Sequence, residues 1–287
     1  MSDITDAERY TLTVWCVVLL CLSIPGNITI LTALNCQAIK LDKTSLTLIE
    51  HLAVADLAYA LFNTLPALIS TITDGWILGD ILCNLSYHVG FYVAYASGYL
   101  LTGFSVSKLL SLVFPLRARL RTRRTAKFVA ASLWVCSLLH FVFDPNEAKY
   151  SDSTFRCLGF AEDDRFIQMV LCTVFKIALP LTIISAVTAH LLWVVKRAAG
   201  LKRQTLLTLI AISGVFIISV VPFMIFMILK QAGVVQFDNS TAPVLRFTVF
   251  IGFLNFSCNP IVYFLTITSF SEYVMAGFKK FTIKNAS

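Results

Sequence analysis

The sequence predicts an all-α membrane protein in which seven spanning helices form a bundle, followed by a short amphipathic eighth helix. Of its 287 residues, 57% are hydrophobic and only 14% are charged, whereas soluble domains carry roughly 25% charged residues. Seven apolar segments are long enough to cross a bilayer, which takes about 20 helical residues. These segments, called here the first to seventh spans, cover residues 11–35, 45–71, 80–112, 125–144, 166–195, 204–229 and 243–267.

The loops predict how the chain is divided and oriented. Residues 1–10 form an N-terminal segment, 11–267 form the bundle, and 268–287 form the amphipathic helix with a short tail. Sixteen of the 23 Lys and Arg residues lie on the side opposite to the N-terminus, and six lie on the N-terminal side. Because basic loops stay in the cytoplasm during insertion, we expect a multi-pass plasma-membrane protein with an extracellular N-terminus. The basic residues are expected to contact lipid headgroups and not nucleic acid.

The connections between the spans are short, which predicts a single bundle. Five arginines lie between Leu116 and Thr125, in the loop after the third span. The longest connection, residues 144–165, follows the fourth span and is acidic, whereas the inner loop 196–203 contains only a few residues. After the seventh span, residues 269–281 carry an uneven apolar face, which is typical of a helix that lies along a membrane surface.

Polar side chains at bilayer depth are the main candidates for function. They are Asn27 in the first span, Asp56 in the second, Ser97 in the third, and Asn255 and Asn259 in the seventh. A central aspartate costs roughly 2.5–3.5 kcal/mol to insert, so Asp56 is expected to face the interior of the bundle. Hydroxyl and amide groups would give it hydrogen bonds and, with water, the oxygen ligands of a sodium ion. Residue types alone do not separate this from a cluster that only holds the helices together.

The predicted outer side carries a candidate disulfide and a candidate glycosylation site. Six of the eight cysteines lie within or at the ends of spans, where cysteine usually behaves as a small hydrophobic residue. Cys83 and Cys157 share the oxidising side, and we expect a disulfide with their Cα atoms within about 7 Å. Asn239 begins a glycosylation sequon in the last outer loop.

An ordered set of short motifs runs through the seven spans. Lys108 follows Cys83 by 25 residues, which is the spacing between a cysteine and an arginine in one large family. The other motifs are Gly26-Asn27, Leu52–Leu57, Trp76–Gly79, Trp134, Pro180, Pro222, Asn259-Pro260-Ile-Val-Tyr263 and Phe270. Over essentially its whole length, the chain resembles a rhodopsin-like (class A) G-protein-coupled receptor.

The resemblance implies a bundle that binds an extracellular ligand and activates a heterotrimeric G protein on the cytoplasmic face. It also favours the sodium interpretation, because Asp56, Ser97, Asn255 and Asn259 match positions that line the allosteric sodium pocket of the family. No cofactor is expected apart from this sodium ion.

The family pattern changes at three switch positions. Ser107-Lys108-Leu109 stands where the family carries Asp-Arg-Tyr, Thr188 replaces a tyrosine low in the fifth span, and Val220 replaces an aromatic residue two positions before Pro222. Lysine keeps the positive charge of arginine but loses its planar fork, and Ser107 cannot form an ion pair with it.

Two functional interpretations follow from these changes. The first is a signalling receptor whose relaxed switches still turn over a G protein; the Asn259-Pro260 and Tyr263 switch motif of the seventh span is retained. The second is a decoy-type receptor that binds its ligand but couples weakly or not at all. The basic loop after the third span suits an acidic protein surface, which favours coupling.

Twelve positions match the ligand pocket that the resemblance implies. They are Tyr87, Gly90, Phe91, Ala94, Tyr95, Cys172, Lys176, Phe223, Met224, Met227, Val249 and Phe253. Gly90 stands where amine receptors carry an aspartate, and Phe253 stands where opsins carry the retinal lysine, so neither class fits. The pocket is apolar and aromatic, which suits a lipophilic small molecule or the end of a short peptide.

Lys176 is the unusual member of this set. A carboxylate or phosphate of the ligand would satisfy its ammonium at that depth. Alternatively, its side chain extends outward to the acidic loop or to lipid headgroups.

Other functional classes have less support. The four histidines are dispersed, and we find no phosphate-binding loop or nucleophile elbow, so an enzyme is not expected. A seven-helix transporter or channel is the remaining alternative, although no internal repeat of the kind that builds many transporters is visible.

Overall fold

The computed structural model of the chain describes residues 5–138, 148–151, 156–159, 174–197, 203–231, 233–235 and 241–286. Each of the seven predicted spans is helical in its described part, although the outer ends of the fourth and fifth spans lie outside these ranges. The helices are α1 (Asp6–Asn35), α2 (Lys43–Tyr59), α3 (Leu65–Thr73), α4 (Gly79–Val113), α5 (Pro115–Leu120), α6 (Arg123–Ser137), α7 (Leu179–Arg197), α8 (Arg203–Gln231), α9 (Ala242–Gly252), α10 (Leu254–Ser257), α11 (Asn259–Thr266) and α12 (Thr268–Ala286).

Side-chain caps explain where several of these helices begin. Thr5, Asp42 and Thr122 each precede a helix, and each accepts a hydrogen bond from the backbone N–H three residues later. Such caps satisfy one of the N–H groups that a helix N-terminus leaves without an intrahelical partner. A polar residue just before an apolar run therefore fixes the starting point of the first, second and fourth spans.

Four of the described helices are long and apolar enough to cross a membrane: 6–35, 43–73, 79–113 and 207–230. The seventh span makes a fifth when its two parts, 242–257 and 259–266, are taken together. The fifth span is described as the shorter apolar helix 179–193. In the third span, 61% of the apolar stretch is buried, against 28% in the first, so α4 is the central helix of the bundle.

The second span is one continuous rod with a wider turn in its middle. Residues Ala60–Thr64 form a π-helical turn between α2 and α3. A second π-helical turn, Val174–Ala178, precedes α7. Such turns shift the following side chains around the helix axis and occur frequently at functional sites. In the second span, the turn brings Asn63 to the face that packs against α4.

A short hairpin lies against the outer end of the bundle. Its strands are β1 (Ala148–Ser151) and β2 (Arg156–Gly159), which pair antiparallel with Tyr150 opposite Cys157. Both strands pack against α4. We call the end of the bundle that holds Glu8 and Cys83 the outer end, and the end that holds Asp42 and Lys108 the inner end.

The seventh span is bent by 43° where α11 begins at Asn259-Pro260. Proline has no N–H, so Pro260 leaves the carbonyl of Phe256, four residues earlier, without its helical donor. The Ser23 hydroxyl of the first span donates to that carbonyl at 3.0 Å. The first span therefore satisfies a backbone group that the bend exposes.

Two further contacts hold the first span on the seventh toward the outer end. The Trp15 indole N–H donates to the carbonyl of Phe250 at 2.9 Å. Nearer the end, Arg246 donates to both carboxylate oxygens of Glu8, at 2.8 and 3.0 Å. Arg246 is only 1% exposed, and a two-point bond to a carboxylate is the arrangement in which a buried guanidinium is best satisfied. This ion pair fixes the start of α1 against α9.

Gly26 allows the close approach of the first and seventh spans. A Cβ built at residue 26 would lie 2.7 Å from both Cβ and Cγ of the Pro260 ring. Such a separation is well inside van der Waals contact, so a side chain here would push the two helices apart.

We therefore expect Gly26→Ala to destabilise the bundle by about 1–3 kcal/mol, the typical cost of overpacking. The matched control is Gly214→Ala in the middle of α8, where a Cβ would meet nothing within 4 Å. That change should be neutral or slightly stabilising, because alanine favours a helix by roughly 0.5–1 kcal/mol over glycine. Thermal unfolding of the purified variants measures both; equal stability of the two would contradict the packing described here.

Candidate functional site

A cavity of about 120 Å³ lies between the second, third, sixth and seventh spans. Five of the positions predicted to bind ligand line it: Gly90, Phe91, Ala94, Phe223 and Val249. The other lining residues are Tyr59, Phe216, Ser219, Val220, Thr248, Gly252, Asn255 and Phe256. A dry apolar cavity of about 150 Å³ holds a benzene molecule, so this one has room for a single aromatic or branched group.

Five further predicted positions are described but do not line the cavity. Tyr87 is 5% exposed and packs edge-on against Phe91, with 4.8 Å between the ring centroids. Tyr95, Met224 and Phe253 are also buried. Met227 packs against a buried apolar cluster that includes Val93, Phe226 and Val249.

Two predicted ligand positions fall where the structure gives no side-chain account. Cys172 lies outside the described residues, and Lys176 lies in the π-helical turn before α7 with its side chain outside the description. The two interpretations of Lys176 therefore both stay predictions.

Sequence reasoning missed six cavity residues, which lie on helical faces that extend from residues it named. Phe216 and Ser219 continue the face of Phe223, at spacings of seven and four residues. Thr248 and Gly252 share a face with Asn255, and Tyr59 stacks on Phe256 with 3.6 Å between ring centroids. Helical periodicity of three to four residues was the signal that could have found most of them.

Gly90 leaves room for the Asn63 side chain of the second span. A Cβ at residue 90 would lie 2.1 Å from the Asn63 amide nitrogen. The π-helical turn brings Asn63 there, where its amide donates to the carbonyl of Ser86 at 3.2 Å. The Ser86 hydroxyl in turn donates to the carbonyl of Phe62. The aspartate that amine receptors carry at this position would displace the Asn63 side chain.

Four of the five polar residues predicted at bilayer depth meet in one buried cluster, whereas the side-chain amide of the fifth, Asn27, donates to the Ser23 carbonyl at 2.9 Å. The Asn259 side-chain amide donates to the Asp56 carboxylate at 2.8 Å and to the carbonyl of Asn255 at 3.1 Å. The Asn255 side-chain amide lies 3.5 Å from the Ser97 hydroxyl. All four residues are at most 3% exposed. The cluster thus connects the second, third and seventh spans. It adjoins the cavity, because Asn255 both belongs to the cluster and lines the cavity.

Several buried oxygen atoms of this region make no hydrogen bond within the described residues. They are Oδ1 of Asn27, Asp56 and Asn255 and the hydroxyl of Tyr263. Buried polar atoms in proteins almost always have a partner, so these oxygens suit water or a hard cation such as sodium. These unpaired acceptors are all oxygen atoms. In the described part of the chain, no three His, Cys, Asp or Glu side chains are grouped so that they could hold a metal ion.

At the inner end, the lysine of the altered switch tripeptide is buried and paired. Lys108 is 7% exposed, and its Nζ lies 3.2 Å from Oδ2 of Asp42 and 5.3 Å from the centroid of the Phe104 ring. Asp42 also accepts from the Ser45 backbone N–H at 3.0 Å and from its hydroxyl at 2.6 Å. Ser107, beside Lys108, is not an acid, and the sequence pattern did not identify Asp42 as the partner of Lys108.

Charge and hydrogen bonding both act on the Asp42 carboxyl. Partial burial opposes its ionisation, but the Lys108 ammonium and the two hydrogen bonds from Ser45 outweigh this effect and hold its pKa below the ordinary value of 3.8. Asp42 is therefore ionised throughout the neutral range.

The other switch positions are also engaged. Ser107 accepts a hydrogen bond from Arg121 at 3.3 Å. Leu109 packs against a buried apolar cluster that includes Leu101, Phe104 and Leu191. Thr188 lies 3.1 Å, oxygen to oxygen, from the Ser213 hydroxyl, which links the fifth and sixth spans. Val220 lines the cavity, and Pro222 lies two residues further along α8.

The predicted outer modifications are described only in part. Cys83 is disulfide-bonded, whereas Cys16, Cys21, Cys36, Cys136 and Cys258 form no disulfide. Strand β2, which contains Cys157, packs against the helix of Cys83. Asn239 lies outside the described residues.

Comparison with known proteins assigns the family. A family model described as "7 transmembrane receptor (rhodopsin family)" matches residues 26–263. The chain is 28% identical to the annetocin receptor of Eisenia fetida over 202 residues, which is 67% of this chain and 48% of that protein. It therefore spans about half the length of that relative.

Two other relatives are covered over most of their length. The C-X-C chemokine receptor type 1 of Macaca mulatta is 28% identical over 89% of this chain and 76% of its own length. The galanin receptor type 2 of Mus musculus is 29% identical over 89% and 71%, respectively. Members of this family are receptors and not enzymes. The chain belongs to the rhodopsin family of seven-transmembrane receptors, and it is a multi-pass membrane protein.

Proposed function

We propose that this chain is a plasma-membrane receptor that binds a peptide at its outer end and activates a heterotrimeric G protein at its inner end. One observation carries the proposal: a single cavity is lined by both Val220 and Asn255. A group that enters it contacts the switch position of the sixth span and the polar cluster at the same time. A ligand shifts a conformational equilibrium only through such differential contacts.

A peptide is the favoured ligand class. The three relatives described above are receptors for annetocin, C-X-C chemokines and galanin, and all are peptide receptors. The cavity holds about one side chain, so the rest of a ligand would lie toward the outer end, beside the hairpin. A peptide that inserts one apolar side chain fits this shape better than a large rigid molecule does.

Coupling, rather than a decoy role, is favoured by the inner end. The Lys108 charge that the family needs there is retained, and it is held by a specific partner and not dispersed in solvent. The neighbouring loop carries five arginines between Leu116 and Thr125, which suits an acidic protein surface or anionic lipids. Coupling would release Lys108 toward that surface.

The orientation and the outer modifications belong to the same proposal. The distribution of Lys and Arg supports an extracellular N-terminus. Because five cysteines form no disulfide and β2 packs on α4, a disulfide between Cys83 and Cys157 is favoured. It would tie the hairpin to the mouth of the bundle. Asn239 would be glycosylated on that side.

Sodium is the proposed allosteric ion of the polar cluster. Asp56, Ser97 and Asn255 would supply oxygen atoms, while Asn259 orients the Asp56 carboxylate through its amide. The ion would supply the positive charge that a buried carboxylate otherwise lacks.

Sodium should therefore raise the midpoint of thermal unfolding, and choline at equal ionic strength should not. A ligand that binds only the folded state at 100 times its Kd stabilises by about 2.7 kcal/mol. Asp56→Asn should abolish the difference between the two salts. The same difference in Asp56→Asn and wild type would exclude this site.

The receptor proposal is tested with purified protein and a panel of synthetic peptides that includes galanin, annetocin and C-X-C chemokines. We expect at least one peptide to raise the unfolding midpoint and to increase nucleotide exchange by an added G protein. Ala94→Trp, which fills the cavity, should remove both effects. Ile225→Trp, the same insertion at a position of α8 that is 53% exposed, should leave them intact.

The outcomes separate the alternatives. Stabilisation without exchange by a G protein of any class identifies a decoy-type receptor. Stabilisation by small lipophilic molecules alone overturns the peptide assignment, and binding that survives Ala94→Trp overturns the cavity assignment.

A further inference from the structure

We propose that Asp42 is the residue that retains Lys108 in the resting receptor, and that coupling requires Lys108 to leave Asp42. The inference rests on the G-protein coupling proposed above and adds a positioning residue to it. Asp42 lies 66 residues before Lys108 in the chain and has no counterpart in the tripeptide motif.

The burial of Lys108 is the first reason. A lysine at the inner end of a membrane helix ordinarily extends its ammonium to water or headgroups. Here the side chain is 7% exposed, with Nζ at 3.2 Å from the Asp42 carboxylate and 5.3 Å from the Phe104 ring centroid. Since burial opposes the charged form, only a specific acceptor explains why the ammonium turns inward.

The rigidity of Asp42 is the second reason. Its Oδ1 accepts from the Ser45 N–H and caps the N-terminus of α2, and its Oδ2 accepts from the Ser45 hydroxyl and from Lys108. Ser45 is fully buried. A carboxylate at a helix N-terminus is further stabilised by the helix dipole. Asp42 cannot turn away without uncapping α2, so Lys108 is the part that moves.

Because of its position, Asp42 competes for Lys108 with any acidic partner that approaches the inner end. Because the Lys108 ammonium is buried against Asp42, it cannot reach an acid outside the bundle while it stays there. Ser107 beside it is bonded to Arg121, which follows α5 in the basic loop. A carboxylate of a cytoplasmic protein that approaches this loop must replace Asp42 in order to reach Lys108.

The central test is Asp42→Asn. Asparagine is as good an N-cap as aspartate, so the change removes the charge and keeps the cap and the size. We expect ligand-free nucleotide exchange by the G protein to rise about five-fold or more, in the range of allosteric coupling. We also expect the unfolding midpoint to fall by about 2–4 °C. Glu50→Gln removes an exposed acid from the same helix and should change neither quantity.

Ser45→Ala provides a second variant that keeps every charge. It removes the hydroxyl that lies 2.6 Å from Oδ2 of Asp42. The basal exchange rate should rise in the same direction as in Asp42→Asn, by a smaller factor. This variant keeps the proposal testable should Asp42→Asn fold poorly.

A double-mutant cycle separates the pair from its role in coupling. Combining Asp42→Asn with Lys108→Gln should lower the unfolding midpoint by less than the sum of the two single changes, because each removes the same interaction. Additive losses would show that the pair does not form. A non-additive cycle with unchanged or reduced basal exchange in Asp42→Asn would overturn the gating role while leaving the ion pair. Absence of exchange in every variant and with every G protein would overturn coupling itself, and the gating role with it.

Discussion

The hydrogen bond from Asn259 to Asp56 is the interaction on which the rest of this bundle depends. A bilayer offers no water to a carboxylate at its centre, so Asp56 has to find its partners within the protein. Meeting that requirement fixes which faces of the second and seventh spans point inward. The same faces carry Tyr59, one turn from Asp56, and Gly252, two turns from Asn259. The cavity is therefore a consequence of how one buried acid is satisfied.

The bend of the seventh span joins the cavity to the rest of the receptor. Pro260 creates the bend and leaves the Phe256 carbonyl without its helical donor. The Ser23 hydroxyl of the first span donates a hydrogen bond to that carbonyl. The first span has only 28% of its apolar stretch buried, yet it holds the seventh span at several depths, from Glu8 to Gly26. Under the proposed function, a ligand that contacts Val249 would act on a helix whose backbone and side chains are held by its neighbours.

The spans, the family and the residues of the buried polar cluster could be predicted from the sequence. Hydrophobic length and the cost of burying polar groups act locally along the chain, so both are visible in the order of residues. The sequence was insufficient wherever the answer depended on side-chain direction. Asp42 reads as an ordinary helix cap, and nothing near Lys108 in sequence points to it. The π-helical turn that brings Asn63 against Gly90 has no signature in composition or periodicity. Both features come from the packing of the second span against the third.

The second and seventh spans are held together by a carboxylate and an amide of matched geometry. Exchanging the two residues probes this pairing. Asn259→Asp alone places two acids against each other and should lower the midpoint of thermal unfolding strongly. Adding Asp56→Asn restores one acid and one amide, and the double variant should regain most of the lost stability. A double variant that is no more stable than Asn259→Asp would contradict the account.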